Sequence, residues 1–305
     1  MKIYIACFFL LIVFISSCNE VERTQLSEFQ EMINNGEIPE HLQGLENLKI
    51  WSPDSKPSFS LRFIEHGYFG SSTEVHVTVS GNGAIGVDNE GRVFIADRES
   101  FSVHAFQSDG GYITSIGRRG RGPGEFLSMG NLKIDSKNIY VYDSLQLRII
   151  IFSLESLSHT QSVDLNPQNW RHIEELRTKG PTDYYPVNGG NFLIKFANSI
   201  LEIESSKGEN NSFSYYLVNQ RGEIISDLIL NQEGRPHEFI SFQNNRFSVT
   251  LPYMGEPLIE LSHEGSIFSA NSHLFFIKKY SPGGDYSEAF FLSLRKNHFA
   301  QRGFN

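Results

Sequence analysis

The chain has 305 residues, with 26 Lys and Arg against 35 Asp and Glu for a net charge of −9, and 13% of its residues are aromatic. An acidic chain lacks the basic face that a nucleic-acid partner requires, so no such partner is expected. Its two cysteines, Cys7 and Cys18, both sit at the N-terminus, so no disulfide framework is expected and a chain of this length must hold itself together by its core.

The N-terminus opens with Lys2 and an apolar run from Ile3 to Ile15, too short to span a bilayer and followed at once by the small residues Ser16 and Ser17. Residues 1–17 therefore read as a signal peptide. Ile15-Ser16-Ser17-Cys18 resembles the bacterial lipobox, in which an aliphatic residue and two small residues precede a cysteine that receives a diacylglyceryl thioether. The resemblance implies that Cys18 is the lipid-attachment residue and that a membrane is reached through that lipid.

Residues 18–45 read as a polar tether with a short helix. Leu26, Phe29, Met32 and Ile33 fall on one helical face, which is expected to pack on the rim of the main domain, and Gly36 and Pro39 end the helix. From about Leu48 the texture changes to short runs of β-branched and aromatic residues, broken every 8 to 12 residues by Gly, Asn, Asp and Ser. That is the pattern of many short antiparallel strands, and it assigns 46–305 to one all-β domain.

Within this domain the segment Gly91 to Gly117, GRVFIADRESFSVHAFQSDGGYITSIG, aligns without a gap to Gly265 to Phe291, GSIFSANSHLFFIKKYSPGGDYSEAFF. Gly91/Gly265, Phe94/Phe268, Ala96/Ala270, Phe101/Phe275, Gly110/Gly284 and Tyr112/Tyr286 are identical pairs. The unit recurs at Lys137 to Leu157, where Ile139, Tyr140, Asp143, Leu147 and Phe152 replace Val93, Phe94, Asp97, Phe101 and Phe106. A looser copy covers Phe192 to Ile225. Each unit reads as strand, loop, strand, Gly turn, strand, preceded by a strand such as Ala84 to Val87; four strands in roughly 40 to 50 residues is the blade of a β-propeller.

The stretch from Ala84 to Phe126 resembles the six-bladed β-propeller lipoproteins of Gram-negative bacteria, relatives of the NHL-repeat propellers. Its most specific part is GRRGRGPGEF, Gly117 to Phe126, which matches the G-x-x-G-x-GPGEF link of that family. The resemblance implies an outer-membrane, lipid-anchored protein of the cell envelope. Four units are readable, and strands between Phe59 and Val79 would supply a fifth. The last unit ends near Phe291 and Arg295 to Asn305 shows no further blade, so an incomplete ring of four or five blades is expected, as from a truncated reading frame; a smaller ring closed by N-terminal strands is the alternative.

Arg118, Arg119 and Arg121 in the GRRGRGPGEF link are the candidate ligand-binding residues, since guanidinium groups on a glycine-rich loop could cradle an anion. No Lys-Ser/Thr follows Gly124, and Leu132-Lys133-Ile134 reads as a strand, so no helix N-terminus stands ready for a phosphate. The competing reading is an inter-blade loop with positive φ at its glycines and Glu125 accepting from backbone or arginine. Asp97 and Asp143, with Asn271 in the same repeat position, read as turn caps.

The ten histidines show no HExxH or paired spacing, no GxSxG occurs, and the single SxxK match at Ser293 lacks companion motifs. No catalytic residue, metal or cofactor is therefore assigned. The resulting expectation is a cell-envelope propeller that binds a protein or glycan without chemistry. A calcium-dependent hydrolase of the lactonase sort and a non-functional truncated propeller are the alternatives.

Overall fold

A computed structural model of the chain describes residues 31–36, 38–52, 55–56, 59–65, 69, 83–206, 211–235, 237–242, 245–250, 255–272 and 274–293. Strand β1 (Leu48–Trp51) comes first. A four-stranded sheet follows, made of β2 (Ile85–Val87), β3 (Val93–Asp97), β4 (Ser102–Phe106) and β5 (Tyr112–Ile116) in that spatial order. The link beyond it contains two short parallel strands, β6 (Arg118–Arg119) and β7 (Glu125–Phe126). The second sheet is β8 (Leu132–Ile134), β9 (Asn138–Asp143), β10 (Arg148–Ser153) and β11 (His159–Asp164).

The third sheet is β12 (Lys179–Val187), β13 (Asn191–Asn198), β14 (Ser212–Val218) and β15 (Leu230–Glu233), with a short helix α1 (Ile200–Ser205) between β13 and β14. A hairpin, β16 (His237–Phe242) and β17 (Asn245–Thr250), separates it from the last sheet. That sheet is β18 (Pro257–Leu261), β19 (Ile267–Asn271), β20 (Leu274–Tyr280) and β21 (Tyr286–Leu292), and β1 adds to it as a fifth strand, parallel to β21. Among the described residues the chain thus forms four sheets with the up-and-down order of propeller blades.

The blades stack because their strands are apolar on both faces. β3 and β4 are buried at every position, the mark of a sheet covered on both sides. Phe94, Ala96, Val103 and Ala105 of the first blade meet Leu132, Ile139, Val141, Ile150 and Phe152 of the second. Tyr140, Tyr142, Ile149 and Ile151 on the second blade's other face meet Tyr184, Phe192, Ile194, Phe196 and Tyr216 of the third. Tyr185, Leu193 and Tyr215 then meet Ile267, Ile259 and Leu261 of the last. Each layer is the kind of close-packed interior in which truncating one large side chain costs about 3–5 kcal/mol.

The internal repeat is visible in the backbone. Phe101 and Leu147, paired by the sequence alignment, both carry positive φ, 55° and 49°, at the entry to the third strand of their blades. The looser copy is loose because α1 interrupts it between β13 and β14. Phe94 and Phe268 occupy equivalent register positions, opposite Ala105 and Lys279. Their burial differs, however: Phe94 is fully buried, whereas Phe268 is only half-buried, since among the described residues no blade covers that face of the last sheet.

The N-terminal segment docks as a rim element. Met32 and Ile33, from the helical turn at 31–34, join Ile38, Leu42, Leu48 and Ile50 against Phe276 and Phe291 of the last blade. Between Phe59 and Val79, where a fifth unit is expected, residues 59–65 and 69 form no strand and the rest lie outside the described residues. Phe69 packs edge-on to Phe106 of the first blade.

Alternating strand direction gives the molecule two unlike ends. One end carries tight turns within blades, such as 88–92, 107–111 and 154–158, closed by Asp or Ser caps and glycines of positive φ. The other carries the links between blades, 117–131, 165–178 and 234–256, together with α1 and the β16–β17 hairpin. Loops that can vary without disturbing the layers are concentrated there.

Candidate functional site

The arginine-rich link lies at this long-loop end. Chain reversal after β5 requires a left-handed residue at Gly117, φ 80°, where a Cβ would run into the ring of Phe126. Phe126 is fully buried and pins the far side of the loop. Between them Arg118 and Arg119 pair in parallel with Glu125 and Phe126. The loop is thus anchored on both flanks by backbone ladder and core.

Glu125 organises its interior. Its carboxylate accepts from the Gly122 amide at 2.7 Å and from Arg118 Nε at 2.7 Å. The Gly122 amide and then the Arg118 guanidinium hold this carboxyl below its usual range. The second blade holds the loop from beneath: Arg148 donates to the carbonyls of Gly122 and Glu125, and the Gln146 amide reaches the Gly120 carbonyl.

Asp143, at the end of β9, fixes the next segment. It accepts from the amides of Leu127, Leu145 and Gln146, from the Ser128 hydroxyl and from the Gln146 side chain. Burial pushes its pKa up, but the bonds from Gln146, Leu127 and Ser128 outweigh this and leave the carboxyl below its ordinary value. Asp97 is the equivalent cap on the first blade, accepting from the Glu99 amide and standing 3.4 Å from His104 Nε2. The capping that the sequence suggests for both aspartates is therefore present in bonds.

Arg118, Arg119 and Arg121 are all exposed on this framework. Arg118 is tied to Glu125, and Arg119 lies 5.2 Å over the ring of Phe101. The three residues share one loop, and the basic residue of the second blade that reaches it, Arg148, is spent on the carbonyls of Gly122 and Glu125. Beside the loop a shallow groove of about 330 Å³ runs past Arg118, Pro123, Glu125, Phe152 and His159. Burial, then the charge of Arg148, lowers the pKa of His159, so its ring is neutral at physiological pH. Cys18 lies outside the described residues.

A second polar cluster stands at the same end of the third blade. Lys179 Nζ donates to Ser212 Oγ at 3.0 Å and Ser214 Oγ at 2.6 Å, with Glu175 at 3.7 Å, and Tyr216 donates to Glu175. Burial lowers the Lys179 pKa against the opposing charge of Glu175. All its members are mutually satisfied, and the cluster ties the turn at Glu174–Leu176 to β12 and β14. Among the described residues no three His, Cys, Asp or Glu side chains converge as a metal site.

A family profile described as a 6-bladed beta-propeller matches residues 68–253 of the chain. The chain belongs to this family. Comparison with curated proteins gives no match. Among solved structures, the propeller is similar to a predicted exported protein of Bacteroides fragilis, with 14% identity and a TM-score of 0.46 over 80% of this chain and 60% of that one. The chain thus spans 60% of the length of that protein. It is also similar to virginiamycin B lyase from Staphylococcus aureus, with 12% identity and a TM-score of 0.37 over 70% of each chain. Regucalcin, a calcium-binding protein from Agrobacterium tumefaciens, gives 12% identity and 0.32 over 69% of this chain and 74% of that one.

Two features of this propeller's long-loop end were hidden from sequence reasoning. Arg148 and Gln146 sit in an ordinary strand entry and carry no motif; only their distance from residues 120–125 in the folded chain gives them a role. The Lys179 cluster draws on two separated segments, 175–179 and 212–216. No spacing rule announces it.

Proposed function

We propose that the protein is a cell-envelope lipoprotein, anchored in the outer membrane through Cys18, whose propeller binds an acidic glycan or protein segment without catalysis. The observation that carries this reading is the arginine-rich loop. Its backbone is fixed by Gly117, Phe126, Glu125 and Arg148, while the guanidinium groups of Arg118, Arg119 and Arg121 remain exposed. Rigid presentation of planar donors suits carboxylate, sulfate or phosphate groups, and little ordering cost is added on binding. On a chain of net charge −9, a cluster of three arginines is a local exception that an acidic ligand would find.

The test is binding of heparin, as an acidic glycan, and of poly-glutamate, as an acidic peptide, to the wild-type chain and to the triple variant R118A/R119A/R121A. The variant is expected to bind the preferred probe at least about tenfold more weakly, since each charge-assisted contact contributes about 1.5–3 kcal/mol. Its melting temperature is expected to fall only slightly, by what the exposed Arg118–Glu125 pair and the Arg119–Phe101 contact contribute. Equal binding by both chains would remove the loop from the function.

A further inference from the structure

Between the first and second blades, at the end that carries the tight turns, the layer leaves a hollow. The turn 88–92, the turn 135–138 and the β10–β11 turn surround a cavity of about 700 Å³. That size falls within the range of about 300–1,000 Å³ usual for sites that hold small molecules. Its described lining comes from these two blades, which follow one another in the chain, and shares no residue with the groove beside the arginine-rich loop.

The walls are fixed before any ligand arrives. The Asp88 carboxylate is buried and accepts from the amides of Glu90 and Arg92 at 2.9 Å and from Arg92 Nε at 2.7 Å. Arg92 reaches across to the second blade, where its Nη2 donates to the Leu154 carbonyl at 3.2 Å. On that blade Asp135 accepts from the amides of Lys137 and Asn138, and Ser153 Oγ from those of Glu155 and Ser156. Turns held by their own side chains lose little freedom when a ligand binds. The repeat does not require the arginine, since the positions matching Arg92 hold Asn138 in the second blade and Ser266 in the last.

What faces the cavity is polar and nearly balanced in charge. Asp88, Glu90 and Glu155 stand against Arg92 and Lys137, and the charge of Arg92 is already met by Asp88. Asn138, Ser153 and Thr160 add an amide and two hydroxyls, while Leu154, the one apolar residue of the described lining, is buried. Among the described residues the side chains of Asn89, Ser136, Lys137 and Glu155 make no hydrogen bond or ion pair within the protein, so their donors and acceptors are open to a ligand.

An apolar molecule finds no wall here, and a base or other aromatic ring finds no platform. Among the described residues no three His, Cys, Asp or Glu side chains converge to hold a metal ion, and a strongly charged ligand meets both signs. Hydroxyl groups, each a donor and an acceptor, match this mixture of amides, carboxylates, hydroxyls and an ammonium. We infer that the cavity is a second binding site, separate from the arginine-rich loop, for an uncharged oligosaccharide whose hydroxyls bond Asn89, Ser136, Lys137 and Glu155.

The test applies the full-length chain to an array of neutral gluco-, galacto-, manno- and xylo-oligosaccharides of graded length and titrates the best ligand by calorimetry. Saturable binding to one of these series is expected. The triple variant N89A/S136A/K137A, altered only at exposed side chains without bonds inside the fold, is expected to bind at least about tenfold more weakly, the loss of two or three neutral hydrogen bonds, at an unchanged melting temperature. Excess heparin, directed at the arginine-rich loop, is expected to leave this binding unchanged. No binding across the array, equal binding by the triple variant, or displacement by heparin would each overturn the proposal.

Discussion

At the scale of single residues the sequence is most legible where a side chain bonds its own neighbourhood. Asp97 and Asp143 could be read as caps from their place at the end of a strand, since an Asx turn needs only the next few amides. The extra partners of Asp143, Leu127 and Ser128, come from the link between blades and had no local signal. Removing this carboxylate leaves several donors without a partner at once, so Asp143→Ala should lower stability by about 2–4 kcal/mol in chemical denaturation. Because the folded pKa is depressed, the stability it contributes is fully present above the ordinary carboxylate value of about 4 and is lost as pH falls through the folded value. Asp143→Asn should flatten the acid limb of the stability profile; an unchanged limb would show that other carboxylates govern it.

At the scale of elements, strands and their order were legible from the repeat, and the insertions were not. β16–β17 and α1 have no counterpart in the aligned units, so a method that works by comparing units passes over them. The addition of β1 to β21 was legible only as the alternative of N-terminal strands serving the last sheet; the pairing itself was not, because a strand of four residues reveals nothing of a partner about 240 positions away. The arginine link was legible as a loop that needs glycine. Gly117→Ala tests how far its shape depends on that residue: the left-handed φ and the Phe126 ring together predict a loss of about 2–3 kcal/mol, measured by thermal unfolding. A loss below about 0.5 kcal/mol would mean that the loop relaxes freely, and would weaken the case for a preorganised binding surface.

For the whole molecule, the sequence supports a stack of sheets because each blade repeats an apolar pattern on both faces. It does not reveal which faces are covered. Phe94 and Phe268 are the same residue in the same register, yet one is interior and the other half-open, since burial belongs to the neighbour and not to the residue. The attachment proposed for Cys18 is testable at this scale. Cys18→Ala should abolish acyl labelling and move the protein from the membrane to the soluble fraction, with the melting temperature of the propeller unchanged; label retained in the variant would refute the assignment.

The parallel pairing of β1 with β21 also decides how the protein responds to being pulled. A force on the N-terminal segment first meets the docked residues Met32, Ile33, Ile38 and Leu42, and then Leu48–Trp51, whose ladder to Ala289–Leu292 lies on the outer edge of the last sheet. Drawn along the strand, the load is shared by every rung together, with Leu48 and Ile50 wedged against Phe291 resisting slip. Drawn sideways, the rungs open one after another. Once residues 32–42 have come away, the next event under load is the peeling of β1, which shortens the last sheet by one strand and lengthens the leash while its four remaining strands stay paired.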